Sequence, residues 1–158
     1  MKLYVIRHAP AVARGLLRRD AARPLTPQGR ARFEDEVRGL GKLGVRLDLV
    51  LHSPRLRAVE TADLLARLVR GTFAVTPNLA KAPTRALLAE LHGRAVAVVG
   101  HEPWLSALAA WLVTGRRDEA TRFALKKGGV LVLDGEPEPG AMRVDAAYPP
   151  RSLRRLGR

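Results

Sequence analysis

The stretch LYVIRH at residues 3–8 decides how the rest of this sequence is interpreted. Its first four residues are apolar, which is typical of a short buried β-strand, and the run stops at an arginine and a histidine. Two further apolar runs, at residues 47–51 and 95–99, are followed by His-Ser and Gly-His. Three predicted strands therefore end directly before side chains that can carry out chemistry.

Helical patterns separate the predicted strands. Thr26 and Pro27 predict the start of a helix that runs to about Leu43, and Ser53 is predicted to cap a second helix in the same way. Strands that alternate with helices predict an α/β domain with a mainly parallel sheet, and two late strands without an intervening helix predict a hairpin at one edge. The other predicted elements are a strand at 73–76, helices at 84–91 and 103–112, and the late strands at 130–133 and 142–146.

The length of the chain limits the number of domains that it can form. A chain of 158 residues can bury one hydrophobic core, so we expect a single domain over residues 1–150 and a solvated basic tail over residues 151–158. The absence of cysteine excludes disulfides, thiolate catalysis and cysteine-ligated zinc. The apolar run near the N-terminus is too short for a signal peptide or a membrane span, so we expect a cytoplasmic protein that has no contact with a membrane.

The charge of the chain is strongly positive. It has 28 Lys and Arg residues against 15 Asp and Glu, which gives a net charge of +13. Such a charge attracts nucleic acid, anionic membranes or an acidic phosphorylated protein, although an arginine-rich proteome would produce the same excess. The basic residues are scattered, and an aromatic content of 4% provides few stacking platforms. Nucleic acid is therefore a disfavoured partner, and a non-catalytic module that binds RNA or another polyanion is the alternative from a different class.

The chemical groups that follow the three strands form a coherent set. In open α/β sheets ligands bind outside the carboxyl ends of the strands, so His8, His101, Arg7, Arg55 and Arg57 are expected to converge on one crevice. The planar fork of arginine matches the nonbridging oxygens of a phosphate. A histidine that faces such a phosphate can attack phosphorus and form a covalent phosphohistidine, which water then hydrolyses.

These residues resemble the signature blocks of the histidine phosphatase (phosphoglycerate mutase-like) superfamily. Residues 3–9 are similar to its strand with Arg-His-Gly, residues 53–62 to its second block, and residues 98–103 to the block that carries the second histidine. The loop at 23–29 and the chain length resemble the short SixA-type phosphohistidine phosphatase branch. Ala9 departs from the pattern, since it stands where the family has glycine. The resemblance implies a three-layer α/β/α sandwich.

The resemblance also implies roles for individual residues. His8 would be the nucleophile, Arg7 and Arg57 would bind the phosphoryl oxygens, and His101 would hydrogen-bond the phosphate and stabilise charge in the transition state. The sequence lacks His-Glu-x-x-His and a phosphate-binding glycine loop, and no metal or cofactor is implied. The residues expected to contribute to substrate binding at the mouth of the site are Arg23, Arg55 and Glu102.

The identity of a general acid bears on the substrate. Larger members of the family use a carboxylic acid to protonate an alcohol leaving group, and only Glu102 and Glu90 are candidates here, by their proximity to the third block. An imidazole has a pKa of about 6.5 and can leave as a neutral molecule without such an acid. The prediction is a metal-independent phosphatase for phosphohistidine on a signalling or carrier protein, with small phosphate esters as the alternative substrates.

Overall fold

The computed structural model covers all 158 residues and contains one six-stranded sheet. The strands are β1 (Lys2–Arg7), β2 (Leu47–His52), β3 (Val69–Val75), β4 (Ala95–Gly100), β5 (Val130–Gly135) and β6 (Met142–Tyr148). The α-helices are α1 (Pro27–Lys42), α2 (Leu56–Leu64), α3 (Arg85–Glu90), α4 (Trp104–Thr114) and α5 (Pro150–Gly157). Short 3₁₀ helices lie at Asp20–Ala22, Ala66–Leu68, Pro77–Leu79 and Arg117–Phe123.

The strand order of the sheet is β3-β2-β4-β1-β5-β6. The first four strands run parallel, while β5 pairs antiparallel with both β1 and β6. The mainly parallel sheet and the hairpin at its edge are thus confirmed. Because β2, β4 and β1 are direct neighbours, their carboxyl ends lie side by side at one edge of the sheet.

Helices cover both faces of the sheet, which confirms the three-layer α/β/α sandwich. One face packs against α1, α2 and α5 through buried residues such as Phe33, Ala62 and Leu153. The other face packs against α3 and α4, for example through Leu87 and Leu108. The central strands are buried on both sides over most of their length, which is why their sequences are largely apolar, with the exposed Asp48 near the start of β2 as an exception.

The start of α1 is fixed by the cap that the sequence predicts. The Thr26 hydroxyl accepts a 2.9 Å hydrogen bond from the Gly29 N–H, and Pro27 occupies the first helical position. A Cβ atom at Gly29 would lie 2.1 Å from the Pro10 carbonyl oxygen, so only glycine permits this approach. The cap therefore places the start of α1 directly against Pro10, in the segment that follows His8.

Two sequence-based expectations need correction. The second helix begins at Leu56 rather than at Ser53, and Arg55 at its N-cap makes no side-chain capping bond. Residues 150–157 form α5 instead of a solvated tail, with Leu153 1% exposed against α1. The backbone of α5 lies close to α1 at Gly39, where a Cβ atom would be 2.3 Å from the Leu153 carbonyl oxygen. Residues 151–158 have only two leucines, Leu153 and Leu156, among four arginines, and this is too short an apolar pattern to predict a docked helix.

None of the helices combines the length and the apolar composition that crossing a membrane requires.

Candidate active site

The carboxyl ends of β1, β2 and β4 open into a cavity of about 430 Å³. Six of its ten lining residues are arginine or lysine, so the cavity suits an anionic ligand. Every residue that the sequence assigned to the site lies in this lining. The lining residues are Arg7, His8, Ala13, Arg14, Arg23, Arg55, Arg57, His101, Glu102 and Lys127.

His8 follows β1 and is buried, with its ring held in one tautomer. Its Nδ1 lies 2.7 Å from the Ala9 carbonyl oxygen, which accepts only if Nδ1 carries the proton. This hydrogen bond assigns the lone pair to Nε2. Burial, followed by the charges of Arg57 and Arg7, lowers the pKa of His8 to about 4. The imidazole is therefore neutral at pH 7 and needs no base to act as a nucleophile.

His101 follows β4 and faces His8, with 5.3 Å between the ring centroids. Its Nε2 lies 2.7 Å from the Ser53 hydroxyl, which also accepts a 3.3 Å bond from the Arg55 N–H. The hydrogen of this buried hydroxyl has no other acceptor within the protein, so it is donated to Nε2 and the ring proton lies on Nδ1. Burial is the main cause that lowers the pKa of His101 to about 3, and the neighbouring His8 and Arg57 also lower it. Ser53 therefore orients His101, a role that the sequence did not predict.

Three buried nitrogen donors at the site have no hydrogen-bond partner within the protein. They are the Nε atoms of Arg7 and Arg57 and the Nδ1 of His101. Buried polar groups almost always find a partner, and donors left over at the edge of a cationic cavity indicate a ligand that accepts hydrogen bonds. A tetrahedral oxyanion is such an acceptor. The three residues are those that the sequence analysis expects to hold a phosphoryl group.

The other nitrogens of the two arginines are fixed by the fold. Arg7 donates through Nη1 to the Leu125 carbonyl oxygen at 2.7 Å. Arg57, whose side chain is only 1% exposed, donates through Nη1 to the Asp20 carbonyl oxygen at 3.0 Å and through Nη2 to Asp20 Oδ2 at 3.2 Å. Both guanidinium groups are therefore held before any ligand binds.

An acidic residue that the sequence did not predict pairs with arginines of the cavity lining. Asp20 accepts a 2.8 Å bond from the Nε of Arg23, and its carboxylate lies 3.9 Å from both Arg14 and Arg55. Its spacing of three residues from Arg23 is the only sequence signal of this ion pair, since the contact with Arg57 spans 37 positions. Arg23 and Arg55 thus both line the cavity and both lie beside Asp20, which is outside the lining.

Neither carboxylate considered as a general acid is free. Glu102 accepts hydrogen bonds from the Ser106 N–H at 3.1 Å, the Ser106 hydroxyl at 2.5 Å and the Leu125 N–H at 2.9 Å. It therefore caps α4 and anchors the segment that Arg7 also contacts. Glu90 lies outside the cavity lining and accepts bonds from Thr76 and Asn78.

Ala9 fits the site without its methyl group entering the cavity. It is fully buried within the hydrophobic layer on the α1 side of the sheet and is absent from the cavity lining. Its N–H donates to the Thr61 hydroxyl at 3.0 Å, and that hydroxyl donates to the Arg57 carbonyl oxygen at 2.6 Å. These two hydrogen bonds connect the backbone next to His8 to helix α2, which carries Arg57.

The structure contains no group of three or more His, Asp or Glu side chains placed to hold a metal ion.

Comparison with known proteins identifies relatives at the levels of sequence and fold. A family model described as the histidine phosphatase superfamily (branch 1) matches residues 3–82. The matched region includes His8 and Arg57, while His101 lies beyond it. An uncharacterized protein of Picosynechococcus sp. is 34% identical over 154 residues, which cover 92% of this chain and 90% of the relative.

Two solved structures illustrate the likeness of fold. The protein histidine phosphatase SixA, solved in complex with tungstate, gives a TM-score of 0.81 at 23% identity, covering 97% of this chain and 99% of SixA. A phosphoserine phosphatase from Entamoeba histolytica gives a TM-score of 0.73 at 15% identity, covering 96% of this chain and 98% of that one. The likeness to SixA confirms the predicted fold class.

Proposed function

The chain belongs to the histidine phosphatase superfamily, and from this premise we propose that it uses His8 as a nucleophile to remove phosphate from phosphohistidine on a signalling or carrier protein. The observation that carries the proposal is the neutral, tautomer-fixed His8 beside three unpartnered buried donors. A nucleophile and donors for a phosphoryl group are the two requirements of this chemistry.

The first step transfers the phosphoryl group to His8. The Nε2 lone pair attacks phosphorus, a P–N bond forms on His8, and the P–N bond to the substrate imidazole breaks. The nonbridging oxygens accept hydrogen bonds from Arg7, Arg57 and His101, which stabilise the charge that these oxygens carry in the transition state. A substrate imidazole protonated on its other nitrogen leaves as a neutral molecule.

The second step returns the enzyme to its starting state. Water attacks the phosphorus of phospho-His8, the P–N bond to Nε2 breaks, and inorganic phosphate leaves. Because the proton stays on the His8 Nδ1, which donates it in a hydrogen bond to the Ala9 carbonyl oxygen, Nε2 regains its lone pair without a change of tautomer.

We propose phosphohistidine as the substrate because the cavity lining has no free carboxylic acid that could protonate a leaving group. Glu102 is engaged in three hydrogen bonds, and it is the only glutamate in the cavity lining. An alkyl ester leaves as an alkoxide unless an acid protonates it, whereas imidazole leaves unaided. The lining therefore favours a leaving group that needs no proton from the protein.

Small phosphate esters are the second candidate substrates. The cavity of about 430 Å³ is large enough to enclose a small phosphorylated metabolite, and a phosphoserine phosphatase shares the fold. Under this alternative the same His8 chemistry acts on a different leaving group.

The test measures phosphate release from a phosphohistidine protein, p-nitrophenyl phosphate and an alkyl phosphate, all in the presence of a chelator. We expect release from the first two substrates, loss of release in His8→Ala, and no change in His92→Ala, which alters an exposed histidine outside the cavity lining. Acid-labile phosphate should label the native chain and be absent from His8→Ala.

Each failure has a distinct meaning. Release that survives in His8→Ala would remove the proposed nucleophile. Alkyl phosphate turnover comparable to that of phosphohistidine would refute the substrate assignment and leave the phosphatase in place. If neither substrate is hydrolysed, binding of polyanions as a function of salt would test the non-catalytic alternative.

A further inference from the structure

Asp20 makes an unusual set of contacts for an exposed acidic residue. Its carboxylate and carbonyl oxygens accept three hydrogen bonds from the side chains of Arg23 and Arg57, at 2.8, 3.0 and 3.2 Å. Arg14 and Arg55 lie 3.9 Å from the same carboxylate. All four arginines line the cavity, while Asp20 is absent from the lining.

These contacts occupy the arginine nitrogens that would otherwise bind an oxyanion. Each terminal nitrogen of Arg57 donates one of its two N–H bonds to Asp20, and the buried Nε has no partner within the protein. Arg23 gives its Nε to Asp20 and its Nη1 to the Val12 carbonyl oxygen at 2.7 Å. A carboxylate and a phosphoryl group present similar pairs of oxygens to a guanidinium fork, so the two anions are direct competitors.

The carboxylate is the displaceable member of these pairs. The Asp20 side chain is 45% exposed, whereas those of Arg57 and Arg23 are 1% and 7% exposed. Residues 13–22 are all exposed, and hydrogen bonds connect this segment to α2 only through Arg57 and Asp20. When an anion binds the arginines, the Asp20 carboxylate can turn to water while the Asp20 carbonyl oxygen still holds Arg57 and the Val12 carbonyl oxygen still holds Arg23.

We propose that Asp20 is a specificity-determining residue, an internal anion that competes with phosphoryl oxygens for Arg57 and Arg23. It weakens the binding of free phosphate and small phosphate esters, and favours a phosphoryl group on a protein that makes additional contacts. The inference rests on the proposed function, since it assumes that the cavity binds phosphoryl groups. Asp20 also weakens inhibition by the product phosphate, which competes with the same carboxylate.

The charge of Asp20 is constant over the working range of pH. Burial would raise the pKa of Asp20, but the charges of Arg57 and Arg23 outweigh it and keep the pKa below its usual value. The competitor is therefore ionised wherever the enzyme is active, and substitution rather than titration is the way to remove it.

The experiment compares the native chain with Asp20→Asn, which keeps the shape of the side chain and removes its charge. The dissociation constant of inorganic phosphate is measured by calorimetry at fixed ionic strength, so no turnover is needed. We expect binding to tighten about tenfold, which is the effect of removing one negative charge from a half-exposed position close to the anion. Asp118→Asn is the matched control, since Asp118 is also exposed and paired with an arginine, Arg116, outside the cavity.

Kinetics provide the second measurement. With p-nitrophenyl phosphate we expect KM to fall about tenfold in Asp20→Asn while kcat stays within about twofold, because competition affects binding alone. Phosphate binding that is unchanged or weaker in Asp20→Asn would overturn the proposal, as would an equal tightening in Asp118→Asn. A fall in kcat with weaker binding would show instead that Asp20 positions the arginines.

The binding experiment also separates this inference from the proposed function. Tighter phosphate binding in Asp20→Asn supports it even if phosphohistidine is not a substrate. Absence of phosphate binding to both chains refutes it even if another activity is found.

Discussion

Glu36 is a buried acid whose ionisation should make the stability of the protein depend on pH. It lies on α1 with its side chain 2% exposed, and its Oε1 accepts a 2.8 Å bond from Arg154 of α5. Its Oε2 has no partner within the protein and lies against Gly128, where a Cβ atom would be 2.3 Å away. Burial raises the pKa of Glu36 to about 7 although the Arg154 charge opposes the shift.

The size of the effect follows from the two pKa values. In the folded chain Glu36 keeps its proton up to about pH 7, whereas in the unfolded chain it titrates near its ordinary value of 4.5. The free energy of unfolding therefore falls as the pH rises between these values, and above them the loss is about 3 kcal/mol. Below the lower value both states are protonated and the loss disappears. Glu36→Gln is neutral at every pH, so its free energy of unfolding should not show this loss.

Urea denaturation at a series of pH values from about 4 to 8 measures the effect directly. The stability of Glu36→Gln relative to the native chain should rise by about 3 kcal/mol across that range, and the titration of all other groups cancels in the difference. Glu34→Gln, the same substitution at an exposed position of the same helix, is the matched control. A Glu36→Gln curve parallel to that of the native chain would refute the reasoning, because it would mean that the pKa of Glu36 is the same in the folded and the unfolded chain.

The active site and the helical layers allow three further tests. Loss of the Ser53 hydroxyl in Ser53→Ala removes the group that orients His101, and kcat for p-nitrophenyl phosphate should fall up to about tenfold, the value of one hydrogen bond, with the fold intact by circular dichroism. An unchanged kcat would contradict the orienting role of Ser53. Because His8 must be unprotonated to attack and its pKa is about 4, kcat/KM corrected for substrate ionisation should stay level from neutral pH down to about pH 5 and then fall; a loss centred on the ordinary histidine pKa of about 6.5 would contradict this. Leu153→Ala should lower the free energy of unfolding by about 2–5 kcal/mol in urea denaturation, since the side chain is fully buried between α5 and α1; a change below about 1 kcal/mol would mean that α5 is not docked.

The sequence predicted the elements whose signals are local. The strand at 47–51 and the helix from Thr26 to about Leu43 lie within a residue or so of their observed bounds, because a doubly buried strand is continuously apolar and a capped helix carries its own start signal. The positions of His8 and His101 followed from the same reasoning, since each comes directly after a central strand.

The features that escaped prediction depend on contacts between distant segments. Ser53 has the sequence context of a helix cap, and its actual bond is to His101, 48 residues away. Asp20 has no distinctive sequence context, because its contact with Arg57 joins residues 37 positions apart. The docking of α5 depends on Gly39 and Leu153 approaching each other, which no local pattern records. Periodicity indicates which residues are buried, but not which polar side chains meet.

The position of β4 in the sheet determines when the phosphate site can come into existence. β4 lies between β1 and β2 in space, yet it is the last of the three to be synthesised. A nascent chain that stops before residue 95 already contains His8 and Arg57 but lacks the strand that joins β1 to β2, and the His8 N–H lacks its acceptor, the Gly100 carbonyl oxygen. Activity should therefore arise in one late step of synthesis rather than gradually. For the same reason, a chain divided in the loop between α3 and β4 should be inactive as separate halves and regain activity when the second half inserts its strand into the first.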